Sequence, residues 1–287
     1  MMGKEKRDRV RDDTSRDVEV KLSINTDYAK NTGDPSPYLR RIVDIGFSHV
    51  HWCHHWNTYF LYSKREIEEI QKWLTNCGLQ LLNLHGSIGP EKNWASQHEY
   101  ERLAGVELVR NRIEMTAQLG GKAIVMHVPN ESKNLPLRKS LEQLEPFVRA
   151  RGVRIAIENT NNFDAITQLL SEYDNNYLGL CYDSGHGNTS RTGLERLETL
   201  KDRLIFVHLH DNDGSSDQHM LPFSGSIDWR RLARIIAESA YTEPVSMEVS
   251  IRNAGIKDEE VFLMEAFDAG KHLSHMIDEA RKHTEKQ

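Results

Sequence analysis

The chain has 287 residues and a formal net charge of −6, with 38% hydrophobic and 28% charged residues. That length suits one large α/β domain with a substantial core, and the composition is that of a soluble globular protein. No apolar run approaches the ~18 residues of a membrane span, no apolar h-region opens the chain, and the acidic balance argues against a nucleic-acid partner.

Residues 1–17 are dense in both signs of charge and read as a mobile charged leader, ahead of a single catalytic domain over residues 18–287. Residues 18–25, VEVKLSIN, alternate apolar and polar as a strand does. A helix is expected over 38–45, closed by Gly46. FSHVHWCHHW, residues 47–56, reads as the second strand. Ser63 is an N-cap for a helix over 64–77, with Glu66 completing a capping box and Gly78 just past the end. LQLLNLHGS is the third strand, followed by a long amphipathic helix over about 97–119. AIVMHVP is the fourth, with a helix near 136–150, and RIAIENT the fifth, with a helix near 163–173. LGLCYDSGH is the sixth, with a short helix near 193–200. LIFVHLHDN is the seventh, followed by a loop and a helix over 228–239; PVSMEVS is the eighth, with a last helix over about 258–282.

Eight strands, each followed by a helix, is the count for a single (β/α)8 TIM barrel. The strands are rich in Val, Ile and Leu, as parallel strands covered on both faces are. An open doubly wound sheet would want a G-x-G-x-x-G turn after its first strand, and none is there. The cysteines Cys53, Cys77 and Cys181 form no C-x-x-C pair, which points to a reducing compartment, the cytoplasm, and to no disulfide framework.

The chemistry gathers where strands end. Around the seventh strand, His208, His210, Asp211, Asp213, Asp217 and His219 follow an apolar run. The last polar residues of strands three to eight are His85, His127, Glu158, Asp183, His208 and Glu248. In a parallel barrel these ends meet at one face, where sites are built. Glu158, Asp183, His208 and Glu248 make a set of three carboxylates and one imidazole that suits Mn²⁺, Mg²⁺, Co²⁺ or Zn²⁺, and a cation would relieve the repulsion among the carboxylates. Any one of these residues alone would read as a hydrogen-bonded rim residue; the convergence of six strand ends is what points to a metal site. On strand two, His51, His54 and His55 sit beside Trp52 and Trp56, which either wall a sugar's C–H face or pack the barrel. Cys53 and Cys181 read as core residues.

The strand ends IENT, CYDSGH, VHLHDN and MEVS, with DQH and the tail SGSIDW, resemble the xylose isomerase-like TIM-barrel superfamily over essentially residues 18–280. That group holds sugar isomerases and epimerases, inosose dehydratases and an abasic-site endonuclease branch. The resemblance implies that Glu158, Asp183, His208 and Glu248 hold a divalent metal, and that His186 contacts substrate or a further metal. In the endonuclease branch a three-zinc cluster has additional ligands, and His85, His127, His186, Asp217 and His219 match those positions. The chain departs from that branch after DQH, where MLPFSGSIDW replaces a Gly-Glu-Gly turn.

The expected function is a divalent-metal-dependent isomerase or epimerase of a small-molecule sugar, or sugar-like polyol ketone, with Glu158 and Glu248 as the acid/base pair on an enediolate. The alternatives are a tri-zinc phosphodiesterase acting at abasic sites, an inosose-type dehydratase, and a binding protein with a vestigial metal. His186 and His210 are candidates to polarise substrate oxygens or relay protons. Arg252 would grip a carboxylate or phosphate, or else form a surface ion pair. The helical exterior could support a homo-oligomer.

Overall fold

The structure, a computed structural model, describes residues 20–53, 61–89, 91–131, 133–160 and 163–284. The leader read over 1–17 and the positions His54, His55 and Trp56 lie outside the described residues.

The strands are β1 Leu22–Asn25, β2 His49–Trp52, β3 Gln80–His85, β4 Ala123–Met126, β5 Arg154–Glu158, β6 Leu178–Asp183, β7 Leu204–His208 and β8 Val245–Met247. β1 to β7 pair in parallel with their sequence neighbours and β8 pairs in parallel with β1, in the order β7-β6-β5-β4-β3-β2-β1-β8. The ring closes between β7 and β8 just past the β7 ladder. There the Leu209 N–H donates to the Ser246 carbonyl at 2.9 Å and the Glu248 N–H to the Leu209 carbonyl at 3.2 Å. This is the expected (β/α)8 barrel.

Around it run α1 Ser36–Ile45, α2 Lys64–Cys77, α3 Glu99–Gln118, α4 Leu135–Arg151, α5 Phe163–Glu172, α6 Ser184–Thr189, α7 Gly193–Leu200, α8 Trp229–Ala237 and α9 Glu259–Thr284. Local sequence explains their ends. At α2 the Glu66 N–H donates to Ser63 Oγ and the Ser63 N–H to Glu66 Oε2, the reciprocal pair of a capping box. At α4 the Asn134 side chain takes the Leu137 N–H at 2.8 Å. None of α1–α9 is long and apolar enough to cross a membrane.

Two differences from the sequence reading bear on the site. Several strands are shorter than expected: β2, β4 and β8 stop at Trp52, Met126 and Met247, so His127 and Glu248 stand just beyond their ladders. The apolar run marks the ladder, and the polar residues after it belong to the mouth. The helix α6 was not expected, because SGHGNT has poor helix propensity. It forms because the Asp183 carboxylate caps it, accepting the His186 N–H at 2.7 Å.

Side chains alternate across each strand, so half of each strand faces the helices and half the barrel axis. Leu22, Ile24, Val50, Trp52, Leu84, Ile124, Ile155, Leu180 and Val207 are buried in one apolar core. The axis carries polar groups instead: Ser23 bonds Ser246, His51 bonds Asn83, and Asn25 takes the Val249 N–H. Replacing Ser63 by Ala removes half of the α2 capping box and should cost about 1 kcal/mol, lowering the urea midpoint, whereas Ser63→Asp keeps an N-cap acceptor and should stay near wild type. Equal midpoints for Ser63→Ala and wild type would show that the cap carries no stability.

Candidate metal centre

Four of the predicted ligands meet at the mouth of the barrel. Donor atoms of Glu158, Asp183, His208 and Glu248 all lie within 4.8 Å of one another. Glu158 ends β5, Asp183 ends β6 and His208 ends β7, while Glu248 follows β8. His208 sits at the hub: its Nδ1 is 2.6 Å from Glu158 Oε1 and 2.6 Å from Glu248 Oε2. Glu158, Asp183 and His208 are at most 1% exposed, and Glu248 has 14% of its side chain exposed.

Two further donor sets adjoin this one. His85, His127 and Glu158 form the first, with His127 Nε2 2.6 Å from Glu158 Oε2 and His85 Nε2 3.7 Å from the same oxygen. His210, Asp217 and His219 form the second, with His219 Nε2 3.0 Å from Asp217 Oδ2. His186 reaches towards this second set, its Nε2 3.3 Å from Asp217 Oδ2. His210 also lies 3.0 Å from Asp183 Oδ2 and stacks on the His219 ring at 4.1 Å. All ten predicted ligand positions are thus contiguous.

The supports were not read from the sequence. Asn159 clamps β6: its Nδ2 donates to the Asp183 carbonyl at 2.9 Å and its Oδ1 takes the Asp183 N–H at 2.7 Å. Ser184 Oγ donates to the His210 carbonyl at 2.6 Å and accepts the His210 N–H at 2.9 Å. Gly185 lets His210 approach, since a Cβ there would stand 1.9 Å from the imidazole Cε1. The signal available was the IENT and CYDSGH pattern itself, whose Asn, Ser and Gly are the brace. His219 holds φ at +49°, a strained value for a non-glycine residue, and its carbonyl takes the Ser250 N–H.

Other predicted residues fall elsewhere. Asp211 is buried but turned from the donors, accepting the Trp229 indole N–H at 2.8 Å and the Asn212 N–H at 2.9 Å. This explains SGSIDW: Trp229 anchors the loop to Asp211, and a Cβ at Gly225 would meet the Asn212 carbonyl at 2.2 Å. Asp213 is exposed and bonds Ser215 and Gln218. Trp52 is 2% exposed within the core, so of its two readings the packing one fits; it presents no face to a substrate. Its partner in that reading, Trp56, lies outside the described residues. Arg252 is exposed on the turn Ile251–Asn253.

The electrostatics fit a cation. Burial pushes the Glu158 carboxyl up, but the His208 charge and hydrogen bonds from His127, His208 and His85 outweigh it and hold the carboxyl well below the usual range. Glu248 behaves alike: burial raises it, and the charge and hydrogen bond of His208 lower it further. Burial opposes a charge on His208, but Cys181, Glu248 and Glu158 overcome that and raise it well above the ordinary value. His51, in contrast, is pushed down to about 3 by burial and then by the His208 charge, so it stays neutral. Protons on the imidazoles therefore balance the carboxylates, and a divalent ion taken up by the same oxygens and nitrogens would displace them. Three hard oxygens with one imidazole form an oxygen/nitrogen donor set suited to Mn²⁺, Mg²⁺, Co²⁺ or Zn²⁺.

Residues 39–267 match the family model described as the xylose isomerase-like TIM barrel, and the chain belongs to that family. An uncharacterized protein of Sinorhizobium fredii is 32% identical, over 85% of this chain and 89% of that one. Among solved structures, the fold is similar to that of a D-tagatose 3-epimerase-like protein, with a TM-score of 0.72 at 20% identity over 92% of this chain and 100% of that one. It is also similar to an L-ribulose 3-epimerase, with a TM-score of 0.73 at 14% identity over 93% of this chain and 97% of that one.

His186 and His219 are each pushed down by burial but raised by carboxylates, Asp183 and Asp217 for His186 and first Asp217 for His219, to about 10. Both bind their proton more tightly folded than unfolded, so the stability they contribute is whole below pH 6.5 and lost as the pH rises towards 10. The urea midpoint of the metal-free chain should fall across that window, and His219→Gln should flatten part of the fall. A midpoint constant from pH 6.5 to 10 would remove these pairs from the electrostatic account.

Proposed function

We propose that the protein is a divalent-metal-dependent isomerase or epimerase of a sugar or sugar-like polyol ketone. The observation that carries this reading is the meeting of Glu158, Asp183, His208 and Glu248 around one small volume at the barrel mouth. The epimerase names of the structural neighbours support it. Glu158, Asp183, His208 and Glu248 would hold the ion, which would supply Lewis acidity beside a substrate carbonyl.

The chain's own groups then do the proton work. Glu158 ends β5 and Glu248 follows β8, and from these separate places the two would flank a bound substrate. One removes the proton and the other returns it. Return to the same carbon from the opposite face epimerises; return to the neighbouring carbon isomerises; loss of a β-hydroxyl instead dehydrates. His186, near Asp217, and His210, near Asp183, would hold substrate oxygens.

A second reading has its own support. The sets His85–His127–Glu158 and His210–Asp217–His219, with His186, add donors on both sides of the central one. Three ions in these sets would suit a phosphodiesterase acting at abasic sites. The acidic balance of the chain weighs against it.

Glu158→Gln should keep the far-ultraviolet circular dichroism spectrum while slowing exchange of a substrate C–H proton with deuterium by about 10²–10⁴-fold, measured over ketoses, inososes and keto-acids with Mn²⁺. Unchanged exchange would take Glu158 out of the chemistry. Metal counting on the loaded chain should return one ion; three zincs together with cleavage of an abasic-site oligonucleotide would replace the first reading by the second.

A further inference from the structure

The sequence left His51 without a role, and the proton chemistry above does not use it. We propose that His51, Cys53 and Glu248 form a second, softer metal position on the β2–β8 side of the pocket, suited to a thiophilic divalent ion such as Zn²⁺ or Cd²⁺. One donor atom from each lies within 4.8 Å of the others. His51 and Cys53 are two residues apart at the end of β2, and so leave the strand on one side. Glu248 comes from the far side of β1.

The imidazole carries the case. His51 is fully buried, and its Nδ1 lies 2.5 Å from Asn83 Oδ1, which fixes the ring. Its Nε2 is buried without a hydrogen-bond partner among the described residues. A buried polar nitrogen left unsatisfied is costly, and a metal ion held with Cys53 and Glu248 would satisfy it. An imidazole whose other nitrogen is held by an amide oxygen is the arrangement in which a metal-binding histidine is oriented. Cys53 is 8% exposed, its backbone pinned by the Thr26 hydroxyl, which accepts the Cys53 N–H at 3.0 Å. Sulfur and nitrogen donors favour zinc or cadmium over magnesium, calcium or manganese.

On binding, the Cys53 thiol gives its proton to solvent and the sulfur ligates as thiolate, with no change of oxidation state. Glu248 belongs both to this set and to the central one, so a soft ion here competes with an ion bound by Glu158, Asp183 and His208. The proposal does not depend on the catalytic reading, because its readouts are spectroscopic.

The test is titration of the metal-free chain with Cd²⁺. A thiolate-to-cadmium charge-transfer band should appear in the ultraviolet, persist in Cys181→Ser and Cys77→Ser, and vanish in Cys53→Ser. Cys181 is the needed control, since with Glu158 and His208 it forms another thiol-bearing set. His51→Gln should weaken Cd²⁺ binding at least ~10-fold. Cadmium-edge X-ray absorption on the unaltered chain, which requires no variant to fold, should show one sulfur neighbour. A first shell of only nitrogen and oxygen, no band in wild type, or a band that survives Cys53→Ser would each overturn the assignment.

Discussion

Like charges held in one dry place set the terms for the rest of this molecule. Glu158, Asp183 and Glu248 converge at the barrel mouth, and the ion pairs described for them are all with imidazoles. Three carboxylates in so little water repel each other and resist desolvation. The fold accepts them because positive charge is placed among them in units that can be given up. An imidazole can hand its proton to solvent and keep its nitrogen as a donor. A lysine or arginine in the same place would neutralise the site permanently and shut out a metal.

That arrangement demands rigidity, and the braces supply it. Asn159 ties β6 to β5 through both its amide atoms, Ser184 holds the His210 backbone through one hydroxyl, and Asp211 with Trp229 locks the loop that returns Asp217 and His219 to the site. Donors drawn from strand ends alone would leave the second flanking set without its Asp217 and His219. The loop also carries the left-handed backbone at His219, a conformation that persists only where the surroundings over-determine it. The polar axis extends the theme downward: Ser23, Ser246, His51 and Asn83 occupy positions that branched aliphatics fill in barrels of this kind, so the interior trades apolar packing for hydrogen bonds beneath the mouth.

The barrel was legible in the sequence because parallel strands buried on both faces read as short apolar runs, each followed by a helical period. The caps at Ser63 and Gly78 were legible for the same reason: they are local. The central donor set was legible too, since Glu158, Asp183, His208 and Glu248 each follow an apolar run at the end a parallel barrel gathers together. What was not legible is tertiary. Nothing local separates Asp217, which joins the donors, from Asp211, which turns away to Trp229. Nor does local pattern show that Trp52 faces the helices while His51 faces the axis until the register is known, because one residue's shift exchanges the two faces. Helix α6 escaped because a side-chain cap, and not propensity, makes it.

The position of Glu158 joins two donor sets. Its Oε1 faces His208 and the central set, and its Oε2 faces His127 and His85. An ion in the central set alone would leave the second oxygen beside the His127 and His85 rings. An ion in the His85–His127 set as well would draw on the same carboxylate, and a carboxylate beside two cations would be a poor base for proton transfer at carbon. Phosphodiester cleavage makes no such demand on Glu158, because charge stabilisation and not carbon acidity limits it. One barrel mouth thus gathers donors that would suit either proposed chemistry, and the two readings would ask different things of Glu158.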